Sequence, residues 1–338
     1  MSPIPFCDLS RALTPIRSDI GTAIDGCLDR TSFLNGYQTK AFEEEWAVFC
    51  GQKYAVCCNS GTDALTLAST ALGMVSATIP ANTLPLTGIG LHRGGSKVHI
   101  AEINQEGWML GENDDTVPVL IFGRIPDPCS KVATLYDAAH AHGWKPPVAS
   151  SAAWSFYPTK SLGALGDAGA VTTNDANLAT YMRELSGRDD KLHDRRQITS
   201  RIDEIQAAVL RVKLRHLNSW LDQRKEIADH YNKRFDGMGI TLTGKSLYHL
   251  YVVRVPQRDG LVAFLNKHGI GSKIHWAQPL NKMSGPWQIS EDCSEAEIWC
   301  NSILSLPCFP GLKHKEINII CDVVEEYCTN NNPDIMES

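Results

Sequence analysis

The sequence predicts an α/β fold: a mainly parallel sheet with helices on its faces, followed by a smaller α+β unit. Three observations carry this. Short apolar runs recur at 54–58, 76–80, 97–101, 117–123 and 133–137, and again around Trp154 and Ala170. They make about seven strands with helices or loops between them, the pattern of a covered, mainly parallel sheet. The chain has 338 residues and 43% hydrophobic composition, enough for a large core beside a smaller one.

The bulk numbers exclude several classes of function. A formal net charge of −6 gives no basis for binding nucleic acid or an anionic membrane. No run approaches eighteen apolar residues, so no membrane-spanning helix is expected. The opening Met1 to Asp8 lacks a basic segment followed by an apolar core, so no signal peptide is expected. The 11 cysteines are scattered without a C-x-x-C pair, which argues against a zinc site and a disulfide scaffold. Small buried thiols in a reducing cytoplasm are the expected reading.

In chain order, residues 8–30 read as an entry segment and a helix, with Ile16, Ile20, Ile24 and Leu28 four apart. A second amphipathic helix around Phe42 to Phe49 ends at Gly51. The strand at 54–58 ends in Asn59-Ser60-Gly61-Thr62-Asp63, which opens a helix. Such a turn presents free backbone N–H groups to an anion, although an ordinary N-cap has the same look. Asp137 ends its own strand, where open α/β sheets bind ligands; alone it also reads as a helix cap. Residues 178–235 read as helical, interrupted by a charged loop from Ser186 to Arg196 that carries Lys191 and His193. Leu210, Leu214, Leu217 and Leu221 mark one long helix running past Trp220. Division into residues 1–238 and 239–338 is expected, the second part with strands near 248–254, 273–276 and 303–307.

The chemistry concentrates at Trp154-Ser155-Phe156-Tyr157-Pro158-Thr159-Lys160, followed by Gly166-Asp167-Ala168-Gly169. A lone lysine is usually a solvated charge. Here apolar and turn-forming flanks bring Lys160 up beside buried strands. Burial lowers an ammonium's proton affinity and yields a usable amine nucleophile.

These residues resemble the cofactor-lysine motif of the DegT/DnrJ/EryC1/StrS family of pyridoxal-phosphate sugar aminotransferases. The resemblance extends from about Gly36 to Val323, with its motifs in order. It implies the fold type I architecture of pyridoxal-phosphate transferases. Lys160 is then the covalent anchor of pyridoxal 5'-phosphate and the acid/base that moves a proton. Asp137 keeps the pyridine nitrogen protonated. Gly61, Thr62 and Ser155 hold the phosphate, and His140, in a usual glutamine position, faces the ring hydroxyl. His275, of the pair His275-Trp276, lies on the substrate side. The resemblance further implies a homodimer with shared sites, glutamate as the amino donor and a nucleotide-linked keto-sugar as the acceptor. Arg195 and Arg196 are expected to reach the sugar diphosphate bound mainly to the other subunit.

Five positions depart from the family pattern. Leu84 replaces a ring-stacking aromatic, and Thr199 an asparagine that reaches the partner's phosphate. Leu120, Ser161 and Ala168 replace a histidine, an asparagine and a glycine. The first two keep open a catalytically silent protein of this fold. An aminotransferase for another cyclic ketone is also open. A lyase or dehydratase is disfavoured, because those relatives carry histidine where Lys160 stands.

Overall fold

The computed structural model describes residues 3–111, 114–126, 132–188, 194–289 and 291–331. An N-terminal stretch, α1 (Leu9–Leu13), α2 (Arg17–Asp29) and α3 (Tyr37–Cys50), leads to β1 (Tyr54–Cys58). Then come α4 (Gly61–Ala71), β2 (Ser76–Pro80), α5 (Pro85–Arg93) and β3 (Lys97–Ala101). The sheet continues through β4 (Leu135–Asp137), β5 (Ser151–Ser155) and β6 (Gly169–Thr173), followed by α6 (Ala176–Leu185), α7 (Glu204–Leu214) and α8 (Leu217–Arg234). The C-terminal part holds β7 (Tyr251–Arg254), α9 (Arg258–Lys267), β8 (Trp287–Ile289), α10 (Ser294–Ser302), β9 (Ile303–Leu306) and α11 (His314–Asn331).

Strands pair in the order β1-β6-β5-β4 and β2-β3-β8. The 117–123 run is not a regular strand. It joins the two halves through parallel bridges, Thr78 to Thr116 and Val119 to Asp137, and then turns into a short 3-10 helix. Pro118 removes one ladder donor, which suits a bridge rather than a full strand. In these two sheets pairing is parallel except around β6, which runs antiparallel to β1 and β5; β7 and β9 form a separate antiparallel pair.

Side-chain alternation sets the layers. Val56, Cys58, Ala153 and Val171 enter one core with Ala64, Leu67 and Ala68 of α4 and Met182 of α6. Ala55, Cys57, Ala152, Trp154 and Ala170 enter the opposite core with Phe42 and Trp46 of α3 and Ala207 and Leu210 of α7. Period-two alternation therefore feeds helices on both faces of one sheet. Trp46 is the hub of the second layer, with its ring 5.2 Å from both Trp154 and Phe156, edge-on.

A third core gathers Ile227, Tyr231 and Phe235 of α8 or its end with Val253, Leu265, Leu304, Ile320 and Val324. The cores do not follow chain order. Ile4 joins this C-terminal core, whereas Trp299, Cys300 and β8 belong to the large sheet's layers. The leucine stripe expected as one helix is divided at Arg215 and His216 into α7 and α8. Tyr248 and His249 lie outside β7, since Tyr248 takes φ 50° and turns the chain instead of extending it. Among the described residues, no helix is long and apolar enough to cross a membrane.

Candidate active site

Lys160 stands between two cavities. One, of about 280 Å³, runs from the N-terminus of α4 past Asp137 and Leu84; the other, of about 210 Å³, opens toward the C-terminal core. Lys160, His140, Tyr157 and Trp276 line both. A tight turn presents the lysine: its N–H donates to the Tyr157 carbonyl at 2.8 Å. The loop then folds back, with the Ala164 N–H on the Phe156 carbonyl at 2.8 Å. A Cβ at Gly163 would stand 2.3 Å from the Pro158 oxygen, so only glycine permits this return. Burial, partly offset by Asp137, pulls the Lys160 ammonium down to about 8.

Burial alone does not single out Lys160. Lys213 is pulled down to about 8 in the same way. Its Nζ, however, donates to the Gly163 carbonyl from beneath the loop, and it lines neither cavity. The cavity and the carboxylate within it make the difference.

Asp137 lies at the carboxyl end of β4, 6% exposed. One carboxylate oxygen accepts the Ala139 N–H at 3.1 Å, the other the Thr87 hydroxyl at 2.9 Å. Burial raises this carboxyl above its ordinary range, opposed by those two hydrogen bonds and by the charge on Lys160. Thr87 sits on α5 and is itself 3.1 Å from Thr83. Sequence reasoning missed Thr87, which belongs to no motif; two threonines at i, i+4 were the available signal.

At the other end of the cavity, Ser60 caps α4 by accepting the Asp63 N–H at 3.1 Å. The Ala64 N–H donates to the Ser60 carbonyl at 2.9 Å. Among the described residues no acceptor is placed against the amides of Gly61 and Thr62, which face the cavity at the positive end of the helix. A Cβ on Gly61 would meet the Ser155 Cβ at 2.8 Å, so glycine lets the Ser155 hydroxyl approach the helix end. The Ser200 hydroxyl braces this turn, donating to Asp63 at 2.7 Å and accepting the Asn59 N–H at 3.0 Å. Behind it, buried Glu43 accepts the Cys57 N–H and the Arg188 guanidinium, both at 2.7 Å.

His140 accepts the Phe122 N–H on Nδ1 at 3.1 Å, which leaves its ring proton on Nε2. Its ring lies 4.4 Å from His249 and stacks on Trp276 at 6.0 Å. Burial, with Lys160 next in weight, holds His140 well below the usual imidazole range, so it is neutral. His275 bonds the Ser305 hydroxyl at 2.8 Å and is pulled down to about 4, chiefly by burial. His249, which the sequence pattern puts in a strand, instead lines the wall of the 210 Å³ cavity.

This donor set fits a phosphorylated pyridine aldehyde: an anion seat, a carboxylate for a ring nitrogen and a buried amine. The model of the DegT/DnrJ/EryC1/StrS aminotransferase family matches residues 15–114 and 129–325. The chain belongs to this aminotransferase family. A Streptomyces venezuelae relative named dTDP-3-amino-3,4,6-trideoxy-alpha-D-glucose transaminase is 32% identical, over 96% of this chain and 96% of that protein. EryC1 of Saccharopolyspora erythraea, named an erythromycin biosynthesis sensory transduction protein, is 34% identical over 92% and 96%. The crystal structure of S. venezuelae DesV in complex with a ketimine intermediate superposes with a TM-score of 0.90 at 31% identity, covering 97% of this chain and 99% of that one. The architecture is the fold type I of pyridoxal-phosphate aminotransferases.

Against the family pattern, Leu84 lines the 280 Å³ cavity at the N-cap of α5, where a stacking residue is expected. Leu120, buried in the second core, and Ala168, whose carbonyl accepts the Phe156 N–H at 2.8 Å, line the same cavity. Ser161 is 7% exposed in the loop. Thr199, Arg195 and Arg196 line neither cavity of their own chain. Arg196 turns back to Asp194 and to the Tyr181 hydroxyl, each at 2.6 Å. Lys191 and His193 lie outside the described residues.

Proposed function

We infer that this family member is a pyridoxal 5'-phosphate-dependent aminotransferase that moves an amino group to a nucleotide-linked keto-sugar. The observation that carries it is the placement of Lys160 and Asp137 in one cavity that ends on the open N-terminus of α4. Pyridoxal phosphate, when bound, supplies an aldehyde for amines and a ring that takes up the electron pair left by a broken Cα–H bond. The rest is work for this chain. Gly61 and Thr62 amides and the Ser155 hydroxyl hold the phosphate. Asp137 stays ionised against its burial because Thr87 and Ala139 donate to it, and it keeps a proton on the ring nitrogen. His140 offers its Nε2–H toward the ring hydroxyl. Lys160, with its ammonium lowered to about 8, supplies neutral amine at neutral pH and carries the proton to and from Cα.

Glutamate is our proposed donor. The relative's dTDP-sugar name supports a nucleotide-linked acceptor, and His275 lines the substrate side of Lys160. We propose a homodimer in which Arg195 or Arg196, with Thr199, serves the partner's site. Exposed Phe33, Leu34, Tyr37 and Leu165 support such a face. The first two bond or bridge to the start of α7, and the Leu165 N–H donates to Gln206, so they flank one helix end. Ten free, mostly buried cysteines among the described residues support work in a reducing cytoplasm. An intact Lys160, Asp137 and α4 seat favour catalysis over a silent protein of this fold.

The test follows nitrogen. Protein loaded with pyridoxal phosphate is given ¹⁵N-glutamate and dTDP- or UDP-linked 3-keto and 4-keto sugars. Label in an amino-sugar nucleotide is expected; label retained in glutamate with every sugar overturns the acceptor class.

A further inference from the structure

The 210 Å³ cavity has no acidic side chain among its described lining residues; its charged members are Lys160, Arg224 and Lys273. A positive cavity without a carboxylate of its own suits an anion. Its histidines do not provide the charge. His275 is pulled down to about 4, and His140 and His249 lie well below the usual imidazole range. Arg224 is 5% exposed, and its Nη1 already donates to the carbonyls of Tyr248, His249 and Cys308. Lys160 must keep its amine for reaction.

Lys273 differs from these. Its bridge to Ser305 holds the segment extended, so Lys273 and His275 share one side while Ile274 packs on the C-terminal core. Lys273 is exposed, and its Nζ lies 5.6 Å from the centroid of the Phe6 ring, a cation–π contact at the cavity edge. Among the described residues no carboxylate pairs with it. Lys273, His275 and Lys160 line the same cavity, and the charges of both amines add to burial in lowering the proton affinity of His275. Any amino-acid donor carries a carboxylate on the carbon that bears its reacting amine.

We propose that Lys273 takes a carboxylate of the amino-acid donor, with Phe6 holding its ammonium at the cavity mouth. This rests on the aminotransferase reading above. The role is one of substrate specificity, and Lys273 takes no part in proton transfer.

The experiment uses cofactor-loaded Lys273→Gln and Lys273→Arg. With glutamate alone, the half-saturating concentration in single turnover is expected to rise about 10- to 100-fold in Lys273→Gln, the scale of one charge-assisted hydrogen bond. The limiting rate should change little, and Lys273→Arg should stay near wild type. Calorimetric binding of unreactive glutarate should weaken in parallel, and the keto-sugar half-reaction should be untouched. Unchanged glutamate dependence and glutarate affinity in Lys273→Gln overturn the proposal while leaving the aminotransferase reading intact. A defect confined to the keto-sugar half-reaction also overturns it, and moves Lys273 to the sugar's anion. A wild type that reacts with no amino donor overturns both.

Discussion

Asp137 and Asp194 each accept two or more hydrogen bonds, yet their surroundings make opposite use of a carboxylate. Asp137 is buried at a strand end, and burial pushes its carboxyl up; a hydroxyl from α5 and one backbone amide oppose that rise. Asp194 is half-buried beneath Arg196, its side chain 16% exposed, and Arg196 holds its carboxyl well below the usual range through a local turn. The first carboxylate takes a hydroxyl from an element fifty residues away in sequence, as well as a local amide, and lines the 280 Å³ cavity. The second is satisfied mainly by Arg196 two residues on, with the Tyr181 hydroxyl donating at 3.0 Å, and Arg196 is partly satisfied with it. One chain therefore builds the lysine-and-carboxylate cavity by itself, whereas the 194–199 segment carries polar groups with no place in that cavity.

The sharpest way to break this comparison is to empty the cavity of its amine. Lys160→Ala is expected to lose turnover by at least 10²- to 10⁴-fold, the range of a positioned acid/base, with an unchanged far-ultraviolet spectrum. Retained transamination would move the catalytic amine elsewhere. Asp137→Asn is expected to cost about 10²- to 10³-fold in kcat, the worth of one well-placed electrostatic group. It should still retain pyridoxal phosphate on dialysis, through the α4 end. A rate within a few-fold of wild type contradicts the role of Asp137.

Thr87→Val tests the support rather than the charge. It removes a donor that favours the ionised carboxylate, so the Asp137 pKa rises further. The acid limb of the rate–pH profile should move to higher pH, and the loss of about tenfold in kcat should be largest at low pH. A uniform loss across pH would make Thr87 a packing residue only.

On the other side of the comparison, Arg195→Ala/Arg196→Ala should raise KM for the keto-sugar and leave the glutamate half-reaction alone. Mixed with Lys160→Ala after subunit exchange, it should regain activity, since heterodimers would hold one good site. No recovery despite exchange would assign the arginines to their own chain or to no substrate. The smallest effect is expected at Leu84. Leu84→Phe adds an aromatic face worth about 0.5–1.5 kcal/mol, seen as slower cofactor loss on dialysis. Equal or faster loss would place Leu84 away from the ring.

What the sequence made legible follows the same division. Lys160, Asp137, Gly61, Thr62 and Ser155 lie at strand ends or a helix start, where local pattern fixes position, and the structure brings all five to one cavity. Thr87 and His249 escaped notice because they reach the site from α5 and from a turn beyond the sheet, with no motif around them. Strand β8 escaped for a related reason: three residues at a sheet edge, two of them exposed, show little periodicity. The 117–123 run shows apolar content outweighing Pro118 in the sequence and the reverse in the backbone. Arg195 and Thr199 are exposed in a single chain, so no feature of that chain's own packing could have assigned them.

The most direct test is a single turnover with glutamate alone. Protein reconstituted with pyridoxal phosphate is mixed with excess glutamate and no acceptor, and visible absorbance and 2-oxoglutarate are followed together. If the cavity is built for transamination, the cofactor's visible band is lost and one 2-oxoglutarate forms per bound cofactor, while Lys160→Ala forms none on the same timescale. An unchanged spectrum and no 2-oxoglutarate in the wild type, with cofactor bound, would contradict it.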